Sequence, residues 1–437
     1  MSVAVAIVGS GPAGCYAAGA LLKKLPGCRI DIIERLPTPF GLIRGGIAPD
    51  HQSTKNVARV FEKTLDREGV RLLGNVELGR DISYDELKEL YDVVVLAVGA
   101  QVPRPLGIPG EDLPGVANVI DFVGWYNGVP GSRDYSAAVN AEAAVIVGNG
   151  NVALDVARVL AKTRAELEAS DIVPAVADAI AAAPMKDIYV IGRRGPVESS
   201  FSYPELSEFG DLQEAVPLAR AAQLPEDAGA AEESARKNKQ KNLDLFKTYA
   251  ANTAGDKPVR VHFCFFASPV AVLGEDRMTG IRMVRNRMED GRAVATDETF
   301  DIAARLLVSA IGYRTGPIAA VPLDDRRGTV SNEEGRVEPG VYAVGWAKRG
   351  PTGVVGTNKG DSQRVVDLIV ADAPRAAKPG PDGLDRLLGA RGVRVVTTAD
   401  WRRIDAVECA CGHGEREREK FTTLDDMLGL LDTEAAA

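Results

Sequence analysis

The chain contains 437 residues, of which 45% are hydrophobic and 26% charged, proportions typical of a globular protein with several buried cores. Its formal net charge of −9 argues against a general nucleic-acid-binding protein, because neutralising phosphates requires a basic surface. No apolar run reaches the roughly 20 residues of a membrane span, and the first strand is predicted from Val3, so we expect either a cytoplasmic protein or a targeting segment that lies outside the given sequence.

The first predicted unit is a strand, a glycine-rich turn and a helix. An apolar run over 3–8 precedes the turn Gly9-Ser10-Gly11-Pro12-Ala13-Gly14, and the helix is predicted over 12–25. In dinucleotide-binding folds the first glycine permits a tight turn and the second lets the backbone approach a pyrophosphate. The third lets helix and strand pack closely. The unit therefore predicts a dinucleotide site.

The strand predicted over 29–34 ends at Glu34. A carboxylate in this place accepts hydrogen bonds from an adenosine ribose and repels a 2′-phosphate, although a solvated glutamate is the simpler alternative. The first site is therefore predicted to take FAD or NAD rather than NADP. A short helix is predicted to start near Ser53 or Thr54, a strand over 92–98 closes the unit, and a Pro/Gly-rich linker follows over 103–110.

A second copy of the unit begins with an apolar run over 143–147 and the turn Gly148-Asn149-Gly150-Asn151-Val152-Ala153. An Ala-rich helical stretch separates it from a strand over 187–191, which ends at Gly192, Arg193 and Arg194 with no acid. Guanidinium groups contact phosphate through two parallel hydrogen bonds, so this pair suits the 2′-phosphate of NADP. A surface Arg-Arg pair is the alternative. Two dinucleotide sites in one chain predict hydride transfer between them.

The later elements predict how the domains are arranged. Residues 220–245 are polar and helix-prone, strands are predicted over 259–266, 305–311 and 340–344, and a second linker over 374–381. The outer segments cannot complete a sheet separately. We therefore predict an α/β protein with two Rossmann-like domains, in which an NADP-binding domain is inserted into a discontinuous FAD-binding domain. The predicted boundaries are 1–104 and 321–437 for the FAD-binding domain and 105–320 for the NADP-binding domain.

The five cysteines include no Cys-x-x-Cys pair, so neither an iron–sulfur run nor a redox-active dithiol is predicted. Cys409, Cys411 and His413 offer only three ligands in a short charged run. A zinc site needs four ligands, or three and a water, in spacings that fold around the ion. We therefore favour an exposed segment and predict no metal.

Longer motifs are more specific than the glycine turns: LPTPFGL at 36–42, IAPDH at 47–51, DFVGWYN at 121–127, the run 148–158, GRRGP at 192–196 and GWAKRGPTG at 345–353. In these stretches the chain strongly resembles the adrenodoxin reductase family of FAD-dependent ferredoxin–NADP reductases, which share the glutathione-reductase-like arrangement of two nucleotide-binding domains. The resemblance implies that NADPH gives a hydride to FAD. Electrons then pass singly to a ferredoxin or another small acidic iron–sulfur protein, or to a flavodoxin.

The resemblance also implies site residues. His51 and Glu208 match polar residues beside the flavin and nicotinamide, where they would tune the flavin and place the nicotinamide, because hydride transfer requires no general base. Residues implied to contact FAD, besides Gly9, Gly11 and Gly14, are Ala13, Glu34, Leu42, Trp346, Gly353, Val354 and Val355. Residues implied to hold NADP, besides Gly148, are Asn149, Gly150, Asn151, Val152, Arg193, Arg194 and Glu205, with the Gly353 backbone at the nicotinamide end.

Other functions remain as alternatives. A disulfide reductase would need a redox cysteine pair, and a monooxygenase or amine oxidase would need an additional substrate domain. Trp346 stands where many two-dinucleotide flavoproteins carry an acid, which points away from the disulfide reductases. A diaphorase or flavin-binding subunit of a larger complex stays open, as does the oligomeric state. The basic residues Arg236, Lys237, Lys239 and Lys241 form either a docking patch for an acidic partner or a solvated helix face.

Overall fold

The computed structural model describes residues 2–229, 233–375 and 377–433, and two six-stranded sheets dominate it. The first sheet is parallel except at its outermost strand, which pairs antiparallel with its neighbour. Residues 336–343 lie beside a strand near residue 95, so the sheet joins distant parts of the chain. In spatial order its strands are Arg336–Glu338, Val341–Ala343, Val93–Leu96, Ala4–Val8, Arg29–Ile33 and Val70–Leu73.

Helices cover both faces of the first sheet. Pro12–Lys24 and Thr357–Ala371 pack on one face, where Ala17 and Val365 are fully buried. Tyr84–Leu90 and Pro381–Ala390 cover the other face. A parallel sheet requires this cover because its strands are apolar on both sides.

The second sheet consists of six parallel strands, all from the middle of the chain. The predicted α/β class with two Rossmann-like sheets is confirmed. In spatial order its strands are Val116–Asn118, Leu306–Ser309, Ala143–Val147, Asp187–Ile191, Val259–Cys264 and Ala215–Ala219.

A third, antiparallel sheet lies on the second, and sequence analysis missed it. Its strands are Ala267–Leu273, Gly280–Glu289 and Arg292–Ala303. Its buried residues, including Ile281 and Met283, form one apolar cluster with Val145 and Ile191 of the second sheet. The remaining strands form two short antiparallel pairs: Val102–Pro103 with Tyr313–Arg314, and Leu323–Asp324 with Thr329–Val330.

Local signals explain where several helices begin. The Ala-rich stretch forms three helices: Asn151–Ala161, Arg164–Glu168 and Pro174–Ala181. Thr163 starts the second of these by a capping box with Glu166, and a proline opens the third. The helix after His51 runs over Gln52–Lys55, so its predicted start at Ser53 or Thr54 is wrong by one or two residues.

The polar, helix-prone region was predicted too early in the chain. The described helix runs over Glu233–Ala251, and Ala221–Gln223 forms only a 3₁₀ turn. The other α-helices are Leu42–Gly45, Ala58–Leu65, Val119–Asn127, Ser136–Val139, Tyr203–Ser207, Trp346–Arg349, Thr398–Ala410 and Leu424–Thr433; 3₁₀ turns lie at Pro196–Glu198 and Glu208–Gly210. Within the described ranges, no helix has both the length and the apolar character needed to cross a membrane.

Candidate functional site

The first glycine turn lies at the carboxyl end of strand Ala4–Val8, and its glycines meet different constraints. A Cβ at Gly14 would lie 2.1 Å from the Gly9 carbonyl oxygen, and one at Gly9 would lie 2.5 Å from the Ala97 oxygen. Gly9 also has a φ of +107°, which side chains disfavour. Apart from its chain neighbours, no described residue would have an atom within 4 Å of a Cβ at Gly11. Packing therefore requires Gly9 and Gly14, whereas Gly11 leaves its backbone open to a ligand.

Glu34 lies directly after strand Arg29–Ile33, beside this turn. Its Oε2 accepts hydrogen bonds from the Ser10 amide at 3.1 Å and the Ser10 hydroxyl at 2.6 Å, and its Oε1 accepts one from the Leu36 amide at 3.2 Å. These bonds fix the carboxylate at the strand end. Because an ionised carboxylate has about four acceptor positions, capacity remains for a hydroxyl donor.

The segment around Trp346 meets the same turn from the other end of the chain. A Cβ at Gly345 would lie 2.5 Å from Ala13 Cβ, so the backbone approaches closely here. The Gly345 amide donates to Asp361 at 2.8 Å, and the buried Asp361 also pairs with Lys348 at 3.0 Å. The Trp346 ring stacks on Tyr313, with ring centres 5.9 Å apart.

Two of the predicted FAD contacts are exposed apolar side chains. Leu42 is 47% exposed and Val354 is 69% exposed. Leu42 follows Gly41, where a Cβ would lie 3.2 Å from the Gly11 Cα, and Val354 donates its amide to the Thr357 hydroxyl at 3.1 Å. Large exposed apolar side chains of this kind are suited to covering an aromatic ring.

The second glycine turn repeats the geometry of the first. A Cβ at Gly148 would lie 2.5 Å from the Ala310 carbonyl oxygen, while one at Gly150 would have no protein atom within 4 Å. Asn151 opens the following helix, and its Oδ1 accepts a hydrogen bond from the Ser202 amide at 2.8 Å. Val152, the next helical residue, is half-buried.

The arginine loop, residues 192–196, follows the neighbouring parallel strand Asp187–Ile191. Arg193 is exposed, and Arg194 is half-buried with its Nη2 donating to the Glu198 carbonyl at 3.4 Å. A Cβ at Gly192 would lie 2.8 Å from the Asn149 side-chain nitrogen. The arginine loop and the second glycine turn are therefore adjacent, as two contacts with one nucleotide require.

Two predicted NADP contacts carry buried acceptors without a partner. Asn149 Oδ1 and Glu205 Oε2 are buried and form no hydrogen bond with any other described residue. Glu205 belongs to the short helix Tyr203–Ser207. Buried acceptors are nearly always paired in folded proteins, so these oxygens fit a ligand with donor groups.

His51 and Glu208, far apart in sequence, are in contact. His51 Nε2 lies 3.0 Å from Glu208 Oε2, and its Nδ1 lies 3.8 Å from Asp155 Oδ1. Arg158 binds Asp50 through two hydrogen bonds of 2.8 and 2.9 Å, and its Nε also lies 3.1 Å from Glu208 Oε2. This ionic network joins the segment before Gln52–Lys55 to the helix that follows the second glycine turn.

The network shifts the ionisation of its members. Burial alone lowers the pKa of His51, but the hydrogen bond to Glu208 and the charges of Asp155 and Asp50 raise it above its usual value. Burial raises the pKa of Glu208, but the bond from His51 and the charge of Arg158 lower it below the usual value. Both shifts favour a charged histidine–carboxylate pair.

The ionic network is not a convincing metal site. Asp50, His51 and Glu208 offer ligand atoms within 4.8 Å of one another. However, Arg158 and Lys162 already pair with Asp50, Lys162 at 2.7 Å, and their positive charges oppose a cation. Cys409 and Cys411 are both exposed.

Sequence analysis assigned no individual roles to Asp50, Asp155 and Arg158. All three lie within the motifs at 47–51 and 148–158, so the signal was present in the chain. Their pairing depends on the packing of one segment against a helix about a hundred residues away, which the sequence pattern does not reveal.

Comparison with known proteins covers almost the whole chain. A family model described as pyridine nucleotide-disulphide oxidoreductase matches residues 3–190. The chain is 40% identical over 444 residues to the NADPH-ferredoxin reductase FprA of Mycobacterium leprae (strain TN), covering 97% of each protein. It is also 40% identical over 449 residues to the mitochondrial NADPH:adrenodoxin oxidoreductase of Salvelinus fontinalis, covering 97% of this chain and 90% of that protein.

Solved structures show the same similarity. Mycobacterium tuberculosis FprA in complex with NADPH superimposes with a TM-score of 0.93 at 38% identity, covering 98% of this chain and 99% of the other. A thioredoxin reductase from T. acidophilum superimposes with a TM-score of 0.50 at 16% identity over 85% of this chain, a likeness of fold alone.

Proposed function

The chain belongs to the adrenodoxin reductase family, as its motifs predict, and we propose that it is an FAD-dependent NADPH–ferredoxin reductase. It takes a hydride from NADPH and delivers single electrons to a ferredoxin or another small acidic iron–sulfur protein. One observation carries this assignment. Two sheets built mainly of parallel strands each present an open glycine turn, and the adjacent strand ends carry opposite charges, Glu34 at the first turn and Arg193 with Arg194 at the second.

The first turn fits FAD. The open backbone at Gly11 suits a pyrophosphate, and the remaining acceptor positions of Glu34 suit the hydroxyls of a ribose. Leu42, Val354, Val355 and Trp346 would provide apolar cover for the flavin ring. When bound, FAD supplies the conversion between two-electron and one-electron transfer.

The second turn fits NADPH. The open backbone at Gly150 suits its pyrophosphate, and Arg193 and Arg194 suit the 2′-phosphate. The unpartnered acceptors of Asn149 and Glu205 suit its amide or hydroxyl donors. A nicotinamide cofactor lacking the 2′-phosphate loses the charged contacts, so the site selects NADPH over NADH.

His51 and Glu208 place and tune the reacting groups. Hydride transfer moves no proton from NADPH, so neither residue is required as a general base. When His51 is protonated, its Nε2 donates to Glu208, which places a positive charge beside a carboxylate that Arg158 also contacts. We assign the pair to setting the local potential and to positioning the nicotinamide.

The arrangement of the sheets supports the proposed domain boundaries. The first sheet takes its strands from 4–96 and 336–343, and the second takes its strands from 116–309. This supports FAD-binding segments over 1–104 and 321–437 around an NADP-binding domain over 105–320. We also propose a cytoplasmic location, because all five cysteines are free, as a reducing compartment maintains them.

The test is anaerobic reduction of the flavin-loaded protein. We expect NADPH to bleach the flavin about 100-fold faster than NADH at equal low concentration, because charge-assisted contacts with the 2′-phosphate contribute about 1.5–3 kcal/mol each. Arg193→Ala should reduce this preference about 10-fold. Arg282→Ala, which removes an exposed ion pair with Asp301 on the third sheet, is the matched control.

The electron acceptor is tested in the same preparation by adding ferredoxins encoded in the same genome. Reduction of at least one ferredoxin at a rate close to that of flavin reduction supports the proposal. Bleaching without transfer to any ferredoxin would instead identify a diaphorase or a redox subunit. Failure to bleach with either nucleotide would exclude the reductase.

A further inference from the structure

Residues that border or belong to the third sheet donate hydrogen bonds to the backbone of the arginine loop. Three successive carbonyl oxygens of the loop each accept a hydrogen bond from this direction. Gly192 accepts from the Ala267 amide at 3.2 Å, and Arg194 accepts from the Phe266 amide at 3.2 Å. Between them, the Arg193 carbonyl accepts from Asn286 Nδ2 at 2.8 Å. The Asn286 bond is the only one of the three made by a side chain.

The conformation of Phe266 brings the third sheet to the loop. Phe266 has a φ of +54°, an unfavourable value for a side-chain-bearing residue. Its carbonyl accepts a hydrogen bond from the Asn286 amide at 2.7 Å, and its ring would lie 2.7 Å from a Cβ at Gly195. The strained residue is thus fixed between Asn286 and the arginine loop.

Asn286 sits at an irregularity in its own strand. The pairing of Gly280–Glu289 with Arg292–Ala303 shifts register between Val284 and Asn286. Such bulges redirect side chains. Asn286 Nδ2 donates both to the Arg193 carbonyl and to the Ser268 hydroxyl, each at 2.8 Å. Both amide hydrogens are therefore used, and the orientation of the side chain is fixed.

The Arg193 side chain has no corresponding anchor. Among the described residues, its guanidinium makes no hydrogen bond or ion pair, and the residue is exposed. The backbone therefore fixes only the point and direction from which this flexible side chain leaves the loop. A loop backbone that is fixed in advance loses less conformational freedom when its arginine binds a phosphate.

We propose that Asn286 is a positioning residue for NADPH selectivity. By its hydrogen bond to the Arg193 carbonyl, Asn286 fixes the arginine loop in the conformation that receives the 2′-phosphate. The third sheet thereby contributes to the selectivity for NADPH. This inference rests on the proposed function, since it takes Arg193 as the phosphate contact. Asn286 itself touches neither the phosphate nor the reacting atoms.

The test compares Asn286→Ala with Thr296→Ala in the flavin-loaded protein. Thr296 donates its hydroxyl to the Arg285 carbonyl at 3.0 Å, on the opposite side of the same irregularity, so its loss perturbs the sheet without touching the loop. We measure the Kd for adenosine 2′,5′-bisphosphate by calorimetry, and kcat and KM with NADPH and with NADH.

For Asn286→Ala we expect the Kd for the bisphosphate and the KM for NADPH to rise about 3- to 10-fold, the effect of losing one neutral hydrogen bond. kcat with NADPH and KM for NADH should stay within about twofold of wild type, because neither depends on the 2′-phosphate contact. Thr296→Ala should leave all of these values unchanged.

Equal losses with NADPH and NADH, or no change in either, would overturn the proposal, since a merely structural role acts on both nucleotides. If Asn286→Ala does not fold, Ser268→Ala releases the second amide bond. It should give a smaller shift, selective for NADPH, and an unselective result or none would again overturn the proposal. A wild-type protein without a preference for NADPH would instead contradict the proposed function.

Discussion

At the residue scale, the contact between His51 and Glu208 connects ionisation to stability. Folding raises the pKa of His51 above its usual value of 6.5, through the bond to Glu208 and nearby carboxylates that outweigh burial. A group whose pKa rises on folding stabilises the protein fully below its unfolded pKa. That stability is lost as the pH increases through the folded-state pKa.

We therefore expect the thermal midpoint of the wild type to decrease relative to that of His51→Gln as the pH rises from the usual histidine pKa of 6.5 through the raised folded-state pKa of His51. Calorimetry of both proteins at several pH values measures the difference. Glu208→Gln should remove the same dependence because it removes the charged partner. A difference between wild type and His51→Gln that stays constant over this range would contradict the assignment.

Sequence reasoning identified His51 and Glu208 through the family resemblance, and the structure places them in contact. Their roles in the reaction stay predictions. The partners Asp155 and Arg158 could not be derived individually, because their contacts form only when the segment at 47–52 packs against Asn151–Ala161. Asn286 carried no sequence signal at all, since an isolated asparagine in a charged strand is indistinguishable from a surface residue.

At the scale of elements, the glycines of the first turn have different roles: Gly14 is required for packing, whereas Gly11 leaves space for a ligand. We expect Gly14→Ala to destabilise the protein by about 3 kcal/mol or more, because its Cβ would lie 2.1 Å from a backbone oxygen that cannot move away cheaply. Gly11→Ala has open space and a φ of −68°, so it should fold with unchanged stability in the absence of flavin. It should nevertheless bind FAD more weakly.

The two variants are compared by urea denaturation of the flavin-free proteins and by the flavin-to-protein ratio after reconstitution. Equal destabilisation of both would mean that Gly11 also has a packing role. Full flavin binding by Gly11→Ala would show that this turn does not contact FAD.

Strands that carry a glycine turn were predictable because an apolar run followed by this turn is a strong local pattern. The third sheet was not, since its strand Arg292–Ala303 is mostly exposed and contains only three large apolar residues, Val294, Phe300 and Ile302. In the third sheet as a whole, inward-facing residues such as Met283 pack on the second sheet. A strand with one solvated face and few apolar residues gives a weak signal.

At the scale of the molecule, one basic residue of helix Glu233–Ala251, Lys241, lies close to the short helix that is predicted to contact NADP. Arg236 and Lys241 are exposed, and Lys241 Nζ lies 5.7 Å from the centre of the Tyr203 ring. Tyr203 begins the short helix that contains Glu205. In a chain of net charge −9, such a patch is suited to steering an acidic partner.

We expect the double reversal Arg236→Glu with Lys241→Glu to raise the KM for ferredoxin about 10-fold at low salt, with a smaller effect at high salt, because screening weakens the attraction. Reduction of a small dye should be unchanged. Lys23→Glu with Lys63→Glu, on exposed helix ends elsewhere, makes the same change in net charge and should have little effect. Equal loss of ferredoxin and dye reduction would exclude docking at this patch.

Because the first sheet is interrupted in the sequence, its neighbouring strands are synthesised at widely separated times. Strands up to Val93–Leu96 leave the ribosome early, but their neighbour Val341–Ala343 is synthesised about 10 to 50 seconds later at typical rates of translation. The second sheet is complete at Leu306–Ser309, before that neighbour exists. The second sheet can therefore be completed during synthesis before the first, although its own first strand is synthesised later.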